Sequence, residues 1–142
     1  MPPISAEAHR AVRRLFAALI GAQFLHSVEE YFTGLYDVFP PARFISGIFT
    51  SDLRLGFAAF NAALVALGVW CYARRVRPNH PNARSWVRFW AVLESANGAG
   101  HLILAANRGS YYPGVATAPL LLALAAMLVY LLLREQPRRS PV

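Results

Sequence analysis

Four stretches of the chain stay apolar for about 20 residues, the length that crosses a hydrocarbon core about 30 Å thick as a helix. They run near residues 12–32, 53–73, 86–106 and 115–133, with a longer connection at 33–52. Four strands could not close a barrel, and lipid offers no partner to an open backbone edge, so helices are the only reading. The pattern predicts an all-α polytopic membrane protein, a four-helix transmembrane bundle in which residues 1–142 form a single membrane domain. Arg10, Arg13 and Arg14 before the first stretch resemble the head of a signal peptide. Gln23, His26, Glu29 and Glu30 then continue the helix where a processing site would need small residues. In the second stretch Ala58, Ala59, Ala62, Ala63 and Ala66 let neighbouring backbones approach.

Composition agrees with a bilayer. Hydrophobic residues make up 56% and charged residues 15%, and the mean hydropathy is +0.37, which excludes a disordered tail. The net charge of +7 comes from fourteen basic residues, all Arg. These flank the apolar stretches and do not line a helical face, so a nucleic-acid partner is not expected. Counted by side, the amino terminus, the connector 74–88 and the carboxyl terminus hold eleven Arg, against Arg43, Arg54 and Arg108 opposite. Both termini are therefore expected in the cytoplasm of a multi-pass cell-membrane protein; the Arg-only, Ala-rich composition suits a high-GC bacterial genome, which would make that membrane the bacterial cytoplasmic one. Trp70, Trp86 and Trp90 fall toward the inner boundary and Tyr31, Tyr36, Tyr111 and Tyr112 toward the outer one, as interfacial anchors would. The single Cys71 forms no internal disulfide, and no paired-cysteine metal motif occurs. The basic connector, interrupted by Pro78 and Pro81, is placed to touch anionic membrane lipid, and His9 and His80 lie outside the spans, where solvation is expected. The outer connection keeps Phe39, Phe44, Ile45, Ile48 and Phe49, which fits either a lid helix over the bundle mouth or packing against headgroups.

Polar residues inside the spans change the picture from architecture to chemistry. His26 is followed at helical spacing by Glu29 and Glu30 and preceded by Gln23; Glu94, Asn97 and His101 share a face of the third span. On the helical rise, His26 lies about 21 Å from its cytoplasmic end, Asn97 about 17 Å and His101 about 23 Å. Asn61, on the antiparallel second span, comes to about 18 Å, and Glu94 to about 12 Å. The two stripes are level, Asn61 can join them, and Glu94 would floor a pocket that opens outward. A charge at the centre of a membrane helix costs about 2.5–3.5 kcal/mol on insertion scales, so Glu30 and Glu94 are expected to face inward.

The string His26-Ser27-Val28-Glu29-Glu30 resembles the signature of the HXXEE-domain membrane proteins. The blocks Asn97-Gly98-Ala99-Gly100-His101 and Tyr112-Pro113-Gly114-Val115-Ala116-Thr117-Ala118 are similar to that family's later ones. The resemblance covers most of the chain and implies fold and site, with no established activity attached. It carries over to His26, Glu29, Glu30, Asn97 and His101; Glu94 and Asn61 rest on helical geometry alone.

Three chemistries fit these residues. His26, Glu30 and His101 form a ligand set suited to a divalent transition metal such as zinc, with water completing the shell. The string differs from the inverted zinc-protease order, because the second histidine of that motif is absent. Without metal, Glu30 as acid and His26 or His101 as its partner could isomerise or cyclise a small or lipid-like substrate. An enzyme of the isomerase, cyclase or hydrolase type is the leading expectation. The alternative is a proton- or cation-coupled transport or binding protein, which with four short helices would require a homo-oligomer. Bland roles stand beside these: Asn61 as an interhelical hydrogen bond, Glu29 as a helix-end residue below Glu30 in chemical promise, and Tyr112-Pro113-Gly114 as a tight turn.

Overall fold

The computed structural model describes residues 4–135, which form helices and connecting turns with no strand among them. Arg138 and Arg139, two of the eleven Arg in the orientation count, lie outside the described residues. Helix α1 spans Ala6–Thr33, capped by Ser5, whose hydroxyl accepts the Ala8 N–H. The connection at 33–52 folds into a short α2, Leu35–Val38, and a helix α3, Pro40–Phe49. Pro40 and Pro41 start α3 easily, since the first helical N–H groups have no intrahelical partner to lose. Helix α4, Leu53–Cys71, is capped by the Asp52 carboxylate, which accepts from the N–H groups of Arg54 and Leu55 at 3.0 and 3.1 Å. It runs on through a wider π turn, Tyr72–Val76. Helices α5, Ala83–Arg108, and α6, Ala118–Arg134, complete the chain, with Pro119 in the first turn of α6.

The four long helices alternate in direction, because one end of the molecule gathers both described chain ends and the α4–α5 connector. The Ser5 N–H donates to Glu135 Oε2 at 3.1 Å. Asn79 donates to the Ile4 carbonyl at 2.8 Å and accepts the Ile4 N–H at 3.3 Å. His9 Nε2 donates to the Val76 carbonyl at 2.8 Å. His80 lies 3.1 Å from an Arg75 nitrogen and 2.6 Å from Asn82 Oδ1. His9 and His80, expected to be solvated, instead fasten this end of the bundle, because connector carbonyls and amides turn inward to meet them.

Helix α6 packs between α1 and α5, while α1 also packs on α4 and α3 lies along α4. In the half of the bundle near the termini, Val12, Phe16, Leu19, Val87, Trp90, Leu121 and Leu128 are fully buried. Phe16 meets Trp90 edge to face, with centroids 6.3 Å apart. At the other end Leu35, Tyr36, Phe57 and Tyr112 form a smaller apolar cluster. Trp90, Tyr36 and Tyr112, expected as interfacial anchors, are core residues with exposures of 0%, 8% and 6%. Counting residues gives depth along a helix, but rotation about its axis decides which side chains face a neighbour, and these three do.

Among the described residues one helix, Leu53–Val76, is long and apolar enough by composition to cross a membrane, and Ala118–Arg134 is a shorter apolar helix. Helices α1 and α5 have the length, at 28 and 26 residues, but their hydropathy is lowered by Arg near their starts and by the polar residues they bury.

Helices α4 and α5 meet mainly at their base, where the π turn touches α5 and Trp70 lies edge to face with Trp86 at 5.9 Å. Above that contact they part, and a cavity of about 320 Å³ opens between them under α3. The roof is held tightly: the Gly56 Cα sits against the Ser46 backbone carbonyl, where any Cβ would overlap it. Gly56→Ala is expected to push α3 off α4 and to destabilise the protein by about 1–3 kcal/mol. Thermal unfolding of the purified variant checks this, and an unchanged midpoint would show that α3 is not fixed at that contact.

Candidate functional site

The chemistry-bearing residues converge where α1, α5 and the turn leading into α6 meet. His26 and Glu30 stand one helical turn apart on the inner face of α1, and His101 faces them from α5. His26 has no exposed surface, and Glu30 and His101 are each 5% exposed. The imidazoles meet edge to face with centroids 4.7 Å apart. Glu30 Oε1 lies 3.2 Å from His26 Nε2 and 3.0 Å from His101 Nε2.

The far side of each ring decides what the near side can do. His101 Nδ1 is 2.5 Å from the Pro113 carbonyl, which only accepts, so Nδ1 carries a proton. His26 Nδ1 is 2.7 Å from Thr117 Oγ1. That hydroxyl donates its own proton to Glu29 Oε2 at 2.6 Å and therefore accepts from the ring. In their neutral form both imidazoles would present bare Nε2 lone pairs to a carboxylate oxygen that is itself an acceptor. In keeping with this, His26 Nε2 is buried without a hydrogen-bond partner despite its closeness to Glu30. Ligand atoms from His26, Glu30 and His101 all lie within 4.8 Å of one another.

The turn between α5 and α6 imposes this orientation. Tyr112 accepts the Val115 N–H at 3.0 Å across Pro113 and Gly114, the expected tight turn. Gly114 has φ of 88°, and a Cβ there would lie 2.6 Å from His101 Nδ1 and 2.9 Å from His26 Cε1. Glycine is required both by the backbone angle and by the rings packed against it.

Glu29 has a different job from its neighbour. Its carboxylate accepts from the Ala116 N–H at 3.0 Å, the Thr117 N–H at 2.9 Å, the Thr117 hydroxyl and the Tyr111 hydroxyl. It clamps the turn to α1 and stands outside the His–Glu cluster, acting on His26 only through Thr117. Burial, together with the neighbouring carboxylate, raises the pKa of the Tyr111 phenol, so it remains a donor to Glu29.

One level deeper lies a second polar group. Glu94 is fully buried; with the Gln23 amide turned so that its NH2 faces the carboxylate, Gln23 donates at 2.7 and 3.2 Å. Ser27 donates to Asn61 Oδ1 at 2.8 Å, and Asn61 donates to the Phe57 carbonyl at 3.1 Å. Glu30, His101, Glu94, Asn97, Gln23 and Asn61 all line the cavity between α4 and α5, so Glu94 and Asn61, expected from helical geometry beside the two stripes, lie on its wall. Asn97 is half-buried there.

The sequence reading missed Thr117, the Pro113 carbonyl and Tyr111 as positioning groups. The block from Tyr112 to Ala118 pointed to this segment, but Thr117 lies 91 residues from His26, and no local spacing relates them. An all-helical bundle with a buried two-imidazole, one-carboxylate centre and an adjoining cavity is what fold and site together define. Residues 17–129 match the model of a family described as protein of unknown function with HXXEE motif, and the chain belongs to that family. No curated protein and no solved structure matches it.

Thr117→Val keeps the shape of the side chain and removes the hydroxyl that serves both His26 and Glu29. A loss of about 1–3 kcal/mol is expected from the unsatisfied partners. Thr117→Ser should recover most of it in the same unfolding measurement; equal effects of Val and Ser would place the role of Thr117 in packing.

Proposed function

We propose that this protein is a membrane-embedded enzyme in which His26, Glu30 and His101 hold a divalent transition metal, with zinc the best chemical fit. The observation that carries this reading is the pair of Nε2 atoms turned onto one Glu30 oxygen. A single proton can bridge only one nitrogen–oxygen pair and leaves the other as acceptor against acceptor. Protonating both rings buries two positive charges beside one carboxylate. A divalent ion satisfies all three atoms at once. The separations of 3.2 and 3.0 Å are close to the tetrahedral edge of about 3.3 Å that follows from zinc bond lengths near 2.0 Å. The backbone carbonyl and the threonine–carboxylate relay behind the rings are the outer-shell partners that metal-bound histidines ordinarily have.

Three protein ligands leave a position for water or a substrate oxygen, as in catalytic zinc sites. There the ion would acidify water for hydrolysis or polarise a carbonyl for isomerisation or cyclisation. Glu94 is a second buried carboxyl group on the same cavity and is not needed as a ligand, so it is the group assigned to carry a proton. The substrate is small or lipid-like, because 320 Å³ is at the lower end of small-molecule sites. An enzyme accounts for the interior better than a conduit does: beneath Glu94 the bundle is closed by fully buried Phe16, Trp90, Leu121 and Leu128, and the polar column ends blind.

Membrane embedding by all four long helices is supported by their outer faces. Phe24 and Phe32 on α1 are 53% and 74% exposed, Leu55 on α4 60%, Val92 on α5 66% and Leu133 on α6 59%. So much exposed apolar surface on every long helix suits lipid as solvent. The observed gathering of both described chain ends with the Arg-rich connector suits an even number of crossings with that end in the cytoplasm.

Elemental analysis of the purified protein is the test. About one equivalent of metal per chain is expected, lost in His26→Ala, His101→Ala and Glu30→Gln and retained in Glu29→Gln. Thr117→Val should keep the metal but weaken its affinity by about 10–100-fold. A folded, active and metal-free wild-type protein would reject the metal and leave the Glu30–histidine acid–base reading.

A further inference from the structure

We infer that the cavity between α4 and α5 is a lateral binding slot for a neutral, single-chain amphiphile with an oxygen-bearing head, such as a long-chain alcohol or aldehyde. This rests on the metal reading for its charge balance and extends it to a substrate class. The slot exists because α4 and α5 touch at their base and diverge above it, with α3 filling only the top. Its walls are graded along one direction. Phe39, Ile45, Phe60, Leu64 and Leu93 line the apolar part, and all five are only half-buried. The inner end carries Glu30, His101, Glu94, Gln23, Asn61 and Asn97. A ligand that matches this gradient has a polar head and an apolar tail.

Charge and volume narrow the class. No Arg lines the cavity, and two carboxylates do, so an anionic head would be desolvated without a basic partner. A divalent ion in the site is offset by Glu30 and Glu94 together, which leaves no net charge to be matched by a cationic head. Taking about 30 Å³ per water-sized group, the cavity of 320 Å³ holds about ten such groups. A chain of about ten carbons fits, and a two-chain phospholipid does not. Because the slot opens sideways between two helices with apolar outer faces, such a molecule reaches the site from the hydrocarbon without crossing water.

The probe is a diazirine-bearing primary alcohol of about ten carbons, applied to the full-length zinc-loaded protein in lipid nanodiscs, with crosslinks mapped by mass spectrometry. Labelling is expected at Phe60, Leu64 and Leu93. It should fall about ten-fold with excess unlabelled decanol, and not with decanoate or decyltrimethylammonium. Leu64→Trp fills the slot away from the proposed ligands and should cut labelling by about ten-fold at unchanged zinc content. Label confined to lipid-facing Val92 and Ile103, equal competition by decanoate, or undiminished labelling in Leu64→Trp overturns the slot. Zinc content is read on the same samples: competed labelling of a protein that binds no zinc upholds the slot while rejecting the metal centre, and zinc without competed labelling does the reverse.

Discussion

Two imidazole rings turned nitrogen-first onto one carboxylate oxygen are the constraint around which this structure is built. Left to themselves, a histidine and a glutamate at i and i+4 pair through a shared proton. Here the Pro113 carbonyl and the Thr117 hydroxyl take the proton-bearing edges of the rings, and the Nε2 atoms point inward. The turn that supplies both groups is held against α1 by Glu29, so the paired acids of the motif divide into one that belongs to the centre and one that orients it. A tight turn with glycine at the rings and a clamp of four donors on Glu29 are consequences of keeping that orientation.

The depth of the centre follows from the same constraint. Helix α6 packs on both α1 and α5, which brings the turn to His26, and the fully buried apolar layer of Phe16, Trp90 and Leu128 holds the three together below. Helix α4 carries no part of the His–Glu cluster. It is free to lean away above its contact at Trp70 and Trp86, and the space it leaves becomes the cavity. Three helices therefore place the cluster, and the fourth, roofed by α3, forms the far wall of the cavity beside it.

Much of this was legible from residue order. The four long helices agree with the apolar stretches to within a few residues at most ends, and the level depths of His26 and His101 on a 1.5 Å rise foretold that the rings would meet. Glu94 and Asn61 came from helical geometry alone and both reached the cavity. What spacing could not convey was rotation and partnership. Trp90, Tyr36 and Tyr112 sit at the depths expected of anchors but face inward, and His9 and His80 find backbone and amide partners that no local pattern encodes. Thr117 joins His26 to Glu29 across most of the chain, a relation set by how α6 returns to α1 and absent from any window of sequence. The polar residues that α1 and α5 bury also lower their apolar averages, so that among the described residues Leu53–Val76 is the helix that meets the composition test for a span.

The inward polar groups also explain why two carboxyl groups can share one interior. In the proposed holoprotein Glu30 is compensated by a cation; Glu94 is a level deeper and cradled by the Gln23 amide, and no Arg among the described residues lines the cavity they share. In the proposed enzyme the two groups have different duties: Glu30 stays a ligand, and Glu94 can take a proton from water or a substrate at the open metal position and return it. The blind apolar floor beneath Glu94 then has a mechanistic reason, since a proton held there is delivered to the cavity and has no polar path to the other side of the bundle.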